Sequence, residues 1–236
     1  MDSVAIFGAN GFVGKKIYEG LLATGKYQVT PVTRDNYADS VGKFYNIVIN
    51  SAMPGARFWA NNNPDKDFTE TVQKTANILY EYTFDKFVHI STVSVRYQPD
   101  TIYGRHKLLA EGLCNYGNNL IIRLSSMFGE GLKKGVLIDM LSGRKVHIAR
   151  ESRYSFCDTN FVGNYIASHL DLTGIKEVGS QNTLSMGEIA GHLQTSSEFE
   201  GDVEVHEIAD PDPDFPDAKE VFKFLDQAKK ELATQI

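Results

Sequence analysis

Four apolar residues, Val4-Ala5-Ile6-Phe7, run straight into Gly8-Ala9-Asn10-Gly11-Phe12-Val13-Gly14, and this junction constrains the fold more than any other stretch. A short run with no polar break reads as a central strand buried on both faces. From Phe12 to Ala23 the apolar positions Val13, Ile17, Leu21 and Leu22 recur at helical spacing, and Gly25 marks the end. The order is strand, glycine turn, helix. In that setting the glycines let the backbone turn tightly and approach a pyrophosphate, whose charge meets free amides and the positive end of the helix dipole. Gly8, Asn10, Gly11, Phe12, Val13 and Gly14 are therefore expected to hold a dinucleotide.

The rest of the chain repeats the alternation. Tyr27 to Val32, Ile47-Val48-Ile49, Phe87-Val88-His89-Ile90 and Leu120-Ile121-Ile122 read as strands, with helical stretches near 68–82 and 103–115. Strands alternating with helices predict an α/β fold with a doubly wound parallel sheet. After Arg123, Gly129, Gly131, Gly135 and Gly143 break the pattern, and a small C-terminal lobe is expected. Residues 1–123 are read as the dinucleotide-binding domain and 124–236 as mainly the small lobe, with 155–172 returning to the first domain. Positions 210–217, alternating Asp and Pro with one Phe, predict an acidic surface loop. Val221, Phe222, Leu225, Ala228 and Leu232 then mark one face of a closing amphipathic helix.

Composition excludes several classes. A formal charge of -6 with scattered Lys and Arg offers no footprint for nucleic acid. Cys114 and Cys157 are too few for a disulfide framework or a structural zinc site, and the six histidines form no ligand motif, so no metal is assigned. No apolar run approaches membrane-spanning length and none resembles a leader, so a soluble, cytoplasmic protein is expected.

Two further places carry chemistry. At the end of the second strand stand Thr33-Arg34, where a guanidinium suits the 2′-phosphate of NADP and the carboxylate typical of NAD binders is missing. Asp35 next door keeps NAD as the alternative. Tyr103 and Lys107 are four apart, so a helix projects both from one face, and an ammonium beside a phenol favours the phenolate. Upstream, Ser91, Thr92 and Ser94 end a buried strand at the sheet edge where ligands of open α/β sheets bind, and Thr92 is the hydroxyl placed to bond a substrate carbonyl.

With these landmarks in order, the chain resembles the extended short-chain dehydrogenase/reductases, which include nucleotide-sugar epimerases, 4,6-dehydratases and 4-keto-sugar reductases. Gly8 to Gly14 matches the family's glycine motif, and Ile47-Val48-Ile49-Asn50-Ser51-Ala52 its adenosine-side strand. Ile90-Ser91-Thr92 matches its Ser/Thr site, Tyr103 to Lys107 its catalytic pair, and Ile122 to Gly129 the segment entering the substrate lobe. The resemblance implies a Rossmann-type fold in which Thr92, Tyr103 and Lys107 are catalytic. It adds Ser51, Ala52, Met53, Ser91, Tyr103 and Lys107 to the cofactor contacts and makes Thr92, Ser94, Ser126, Met127 and Arg153 the substrate contacts. A homodimer through the helix carrying Tyr103 is implied as well. The chain departs from the family at several points: Thr92 and Tyr103 are only eleven apart, Thr71 stands for the usual Asn, and Glu130 for the usual Pro. Val93 and Ser94 replace the acidic pair that follows the catalytic Thr in dehydratases, which disfavours a 4,6-dehydratase.

The expected activity is NADP(H)-dependent reduction of a keto group on a small molecule, such as a nucleotide sugar, with Tyr103 as proton donor. The alternatives are a nucleotide-sugar epimerase with retained NAD and a non-catalytic NADP(H)-binding sensor or partner-binding protein.

Overall fold

The computed structural model describes residues 1–233. Along the chain lie β1 (Asp2–Phe7), α1 (Gly14–Thr24), β2 (Tyr27–Val32), α2 (Tyr37–Ser40), β3 (Phe44–Asn50), α3 (Arg57–Asn62) and α4 (Pro64–Phe68). A π-helical stretch, Thr69–Gln73, joins α4 to α5 (Lys74–Glu81), and β4 (Thr83–Thr92), α6 (Ser94–Tyr97), α7 (Ile102–Cys114) and β5 (Leu120–Leu124) follow. The remainder comprises β6 (Ser126–Phe128), α8 (Val136–Leu141), β7 (Arg153–Tyr154), β8 (Phe156–Asp158), α9 (Thr159–Ser168), β9 (Gly174–Val178), β10 (Leu184–Ser185), α10 (Met186–Leu193), β11 (Val205–His206) and α11 (Glu220–Ala233).

Two compact units divide the chain. The first comprises Met1–Leu124 and Asn160–Lys176. The main sheet has the order β2-β1-β3-β4-β5-β9, and the pairings β1 with β2, β1 with β3, β3 with β4 and β4 with β5 are all parallel. Side chains alternate across it, as the pleat requires. Ala5, Phe7, Val48, Phe87 and Ile121 share one core with Ile78 and Leu79 of α5 and Cys114 of α7. Their neighbours Val4, Ile6, Ile49, Val88 and Ile90 point to the other face and are equally buried, together with Ile17 and Leu21 of α1 and Ile166 of α9. The expected doubly wound parallel sheet is what the chain forms. Pro31 sits inside β2, where a missing amide is tolerated because β2 is an edge strand.

Helices α1 and α9 approach at backbone distance. A Cβ built on Gly20 would lie 2.7 Å from the Gly163 carbonyl oxygen, and one on Gly163 only 2.2 Å from that of Lys16. Glycine is required on both sides of this contact.

The second unit comprises Ser125–Thr159 and Glu177–Ile236. Its strands are short: β10-β7-β11 form one sheet, and β6 pairs with β8 in parallel. Phe128, Leu137, Met140, Tyr154, Phe156, Leu184, Ile189, Leu193, Val221 and Leu225 build its core. The returning segment was expected at 155–172 and lies at Asn160–Lys176, because Phe156–Asp158 bond to Ser126–Phe128 inside the second unit. The closing helix forms and buries Val221 and Leu225, whereas Leu232 is 44% exposed, since the last turns of α11 run past the core they were expected to cover. No helix among the described residues is long and apolar enough to cross a membrane.

Candidate active site

The strand order reverses beside β1, because β2 lies on one side of it and β3 on the other. Ligands of open α/β sheets bind outside the carboxyl ends of the strands at such a reversal. Two loops meet there. Gly8, at φ +84°, would place a Cβ 2.5 Å from the Ser51 carbonyl oxygen, and Gly14 would place one 2.1 Å from that of Gly8. The turn is closed by Gly11 N–H donating to Gly8 O at 2.8 Å, and Lys15 N–H donates to Gly11 O at 2.9 Å. The amides of Phe12 and Val13, at the mouth of α1, donate to no described residue. Free amides at the amino end of an 11-residue helix form a ready anion site, so the residues present fit a dinucleotide pyrophosphate.

At the end of β2 the chain turns through Asn36, which the sequence alone did not single out. Its Oδ1 accepts from Thr33 N–H at 2.7 Å, while its Nδ2 donates to Pro31 O at 3.0 Å. The turn so fixed leaves Arg34 and Asp35 both exposed at its tip. Arg34 forms no ion pair with a described residue. At the end of β3, Asn50 is fully buried, bonds Thr75 Oγ1 through Nδ2 at 3.0 Å, and accepts from Ala52 N–H at 3.2 Å, holding the Ser51-Ala52-Met53 loop.

The groups expected to handle protons gather at the end of β4. Thr101 caps α7 by accepting from Gly104 N–H at 3.0 Å, and the Tyr103 amide donates to Asn61 Oδ1 of α3 at 3.3 Å. Thus Tyr103 occupies the first turn of α7, and Lys107 follows one turn later. The Thr92 hydroxyl lies near enough to the Tyr103 phenol to pull its pKa down. Thr92 Oγ1 also accepts from Ser94 N–H at 3.2 Å and bonds Ser94 Oγ at 3.2 Å. Lys107 Nζ stands 5.4 Å from the centre of the Tyr103 ring. The expected catalytic trio is thus together in the first unit.

Burial dominates the electrostatics. It raises the Tyr103 phenol to about 12, against the opposing pull of Arg57 and Thr92 and with a further push from Asp67. It lowers the Lys107 ammonium to about 7, with Asp67 and Glu111 acting against it. His89, wholly buried on β4, is pushed down to about 3 by burial first and by Lys107 second. Tyr103 therefore holds its proton at neutral pH.

Other expected contacts lie elsewhere. Ser91 is buried and gives its hydroxyl to Glu111 Oε1 at 2.6 Å, and Glu111 is in turn clamped by Arg123, with Nη2 to Oε2 at 2.6 Å. Ser126 and Met127 lie on β6 of the second unit and are partly exposed. Arg153 is exposed on β7, where its guanidinium donates to the Thr183 hydroxyl and carbonyl, each at 3.1 Å, and lies 3.7 Å from Glu188. Sequence reading missed Asp67 of α4, fully buried, with Oδ2 lying 2.7 Å from His106 Nδ1. Thr71 is buried within the π-helical stretch with its hydroxyl unpartnered among the described residues. Such stretches are frequent at functional sites. Among the described residues no group of His, Cys, Asp or Glu could hold a metal ion.

Comparison with known proteins gives the fold by structure alone. No family model and no curated protein matches the sequence. Solved structures do match. A UDP-N-acetylglucosamine 4-epimerase from Methanobrevibacter ruminantium M1, in complex with UDP-N-acetylmuramic acid, superposes with a TM-score of 0.77 at 14% identity, over 100% of this chain and 99% of the other. The UDP-glucuronic acid 4-epimerase from Bacillus cereus, in complex with UDP-glucuronic acid and NAD, gives 0.74 at 18%, over 96% and 99%. The dTDP-4-dehydrorhamnose reductase from Bacillus anthracis, in complex with NADP, gives 0.70 at 16%, over 97% and 99%. The fold is theirs. At these identities the likeness extends to the backbone, and the chemistry has to be argued from this chain's own side chains.

Proposed function

We propose that the chain is an NADP(H)-dependent oxidoreductase of the extended short-chain dehydrogenase/reductase type, reducing a keto group on a nucleotide-sugar-like substrate. The observation that carries this reading is the buried Tyr103 phenol, protonated at neutral pH, with the Thr92 hydroxyl acting on it and Lys107 Nζ 5.4 Å from the centre of its ring. A nicotinamide dinucleotide, which the Gly8–Gly14 turn would hold, would supply the hydride for the carbonyl carbon when bound. Tyr103 gives its proton to the carbonyl oxygen as negative charge develops there, and Thr92 donates a hydrogen bond to the same oxygen. Lys107 would stabilise the phenolate left behind and is the group that would hold the ribose hydroxyls of a bound cofactor, a role that suits an ammonium donating to no described residue.

The preference for NADP rests on Arg34, exposed without a carboxylate partner at the turn after β2. Titrating nicotinamide fluorescence with the purified protein, alongside mass analysis of copurifying nucleotide, tests it. Exchangeable NADPH bound more tightly than NADH supports the reductase, tightly held NAD turns the reading to an epimerase, and binding of neither overturns it. Arg34→Ala is expected to weaken NADPH by about 10- to 100-fold, the loss of one or two charge-assisted hydrogen bonds, and NADH far less. Equal loss for both would show that Arg34 does not read the 2′-phosphate.

A second copy of the chain is the proposed partner, through the α7 face on which Leu108 and Leu109 stand exposed. Sedimentation velocity is expected to give a dimer; a monomer at micromolar concentration sinks that assignment.

A further inference from the structure

The main sheet ends at β2, which departs from the usual plan. A doubly wound dinucleotide-binding sheet carries a further strand outside its second. Here the chain turns back after β2 and reaches β3, on the far side of β1, with only the four residues of α2 as regular structure on the way. Crossovers between parallel strands are right-handed. The connection through α1 moves outward from β1 and the one through α2 moves back inward, so the two lie on opposite faces of the sheet. Tyr37, the first residue of α2, accordingly packs on the core that Phe7 shares with α5, as does Ala52. The Tyr37 ring meets the Phe7 ring edge-on, with centres 6.2 Å apart, and the Tyr82 ring at 6.0 Å. Its hydroxyl donates to Glu81 Oε2 at 2.6 Å. These contacts fix a side chain that is only half-buried.

The ring stands where the adenosine half of a dinucleotide has to lie. Phe7 is the residue before Gly8, Arg34 is at the exposed tip of the turn that leads into Tyr37, and Ala52 lies in the loop after β3. With the pyrophosphate on the glycine turn and the 2′-phosphate at Arg34, the base falls among these three. We propose that Tyr37 is the platform on which the adenine stacks, replacing the wall that an outer strand and its helix give in the fuller sheet. The proposal rests on the cofactor reading above. Stacking needs only an aromatic face, since every base has one, and a ring already pinned loses little freedom when the base arrives. The Tyr37 hydroxyl, committed to Glu81, takes no part in recognition. No strand lies outside β2 to close over the base, which suits a dinucleotide exchanged at every turnover.

The test sets NADP+ beside two of its parts, 2′,5′-ADP and nicotinamide mononucleotide, in calorimetric titrations of the purified protein. Tyr37→Leu is expected to weaken NADP+ and 2′,5′-ADP by about tenfold, the loss of one stacked base, and to leave nicotinamide mononucleotide unaffected. Tyr37→Phe keeps the ring and gives up only the bond to Glu81, so it is expected to keep the affinity for both adenosine ligands. Nuclear Overhauser contacts read the geometry in the unsubstituted protein, whether or not the leucine variant folds. In protein protonated only at tyrosine, the adenine ring protons of the bound dinucleotide, NADP+ or NAD+, should show cross-peaks to ring protons whose signals disappear in Tyr37→Phe. Undiminished binding of 2′,5′-ADP by folded Tyr37→Leu, or a bound dinucleotide with no such cross-peak, overturns the platform and leaves the cofactor reading standing. Failure of the unsubstituted protein to bind either dinucleotide overturns both.

Discussion

Turnover by Tyr103→Phe is expected to fall by about three orders of magnitude, within the range that positioned proton transfer contributes, while NADPH affinity stays within about twofold. The asymmetry follows from what the substitution removes. Phenylalanine fills the same buried space beneath Lys107 and leaves the Tyr103 amide bonded to Asn61, so the fold of α7 is kept. Only the phenol oxygen goes, and with it the proton held at neutral pH. Under the proposed mechanism Thr92 would then polarise a carbonyl that has lost its proton donor. Steady-state rates with a keto sugar, set beside a fluorescence titration of NADPH, separate the two effects. Turnover at the level of the unsubstituted protein would remove Tyr103 from the mechanism, whereas loss of NADPH binding would mean that the phenol belongs to the cofactor site alone.

Gly14→Ala should act at the other end of the reaction, on nucleotide binding. A methyl there would sit 2.1 Å from Gly8 O and 2.8 Å from Gly8 C, both backbone atoms at the heart of the turn. No side chain can swing away to relieve the contact, so the turn has to open and carry the Phe12 and Val13 amides with it. The expected result is a loss of NADPH affinity of about 100-fold or more, near 3 kcal/mol, with a destabilisation of about 1–3 kcal/mol from overpacking. Titration and thermal melting read the two separately. Full affinity in the alanine variant would show that the turn does not carry the pyrophosphate.

Much of the first unit is legible in the sequence because its determinants are local. The run before Gly8, the bounds of β2 and the four-residue spacing of Tyr103 and Lys107 are set by neighbours a few positions away, where periodicity and turn chemistry act. Asp67 and His106 are 39 residues apart, and Ser91 and Glu111 are 20 apart. No local pattern distinguishes these acidic residues from solvated ones, so their pairing emerges only once α4 and β4 have packed against α7. Ser91 illustrates the converse. Its strand-end position suited a cofactor contact, yet burial commits the hydroxyl to Glu111. In the second unit, strands of two or three residues such as β7, β10 and β11 are too short to leave any alternation in the sequence.

The chain leaves the first unit at Leu124 and comes back to it at Asn160. Synthesis proceeds from the amino end at about 5–20 residues per second, so β5 waits with one edge unpaired until β9 has emerged from the ribosome. The groove of α1 around Gly20 waits longer still for the Gly163 backbone. A nascent chain stalled before residue 160 would carry the whole phosphate turn and the Tyr103–Lys107 helix, yet present an open strand edge of the kind that recruits other chains.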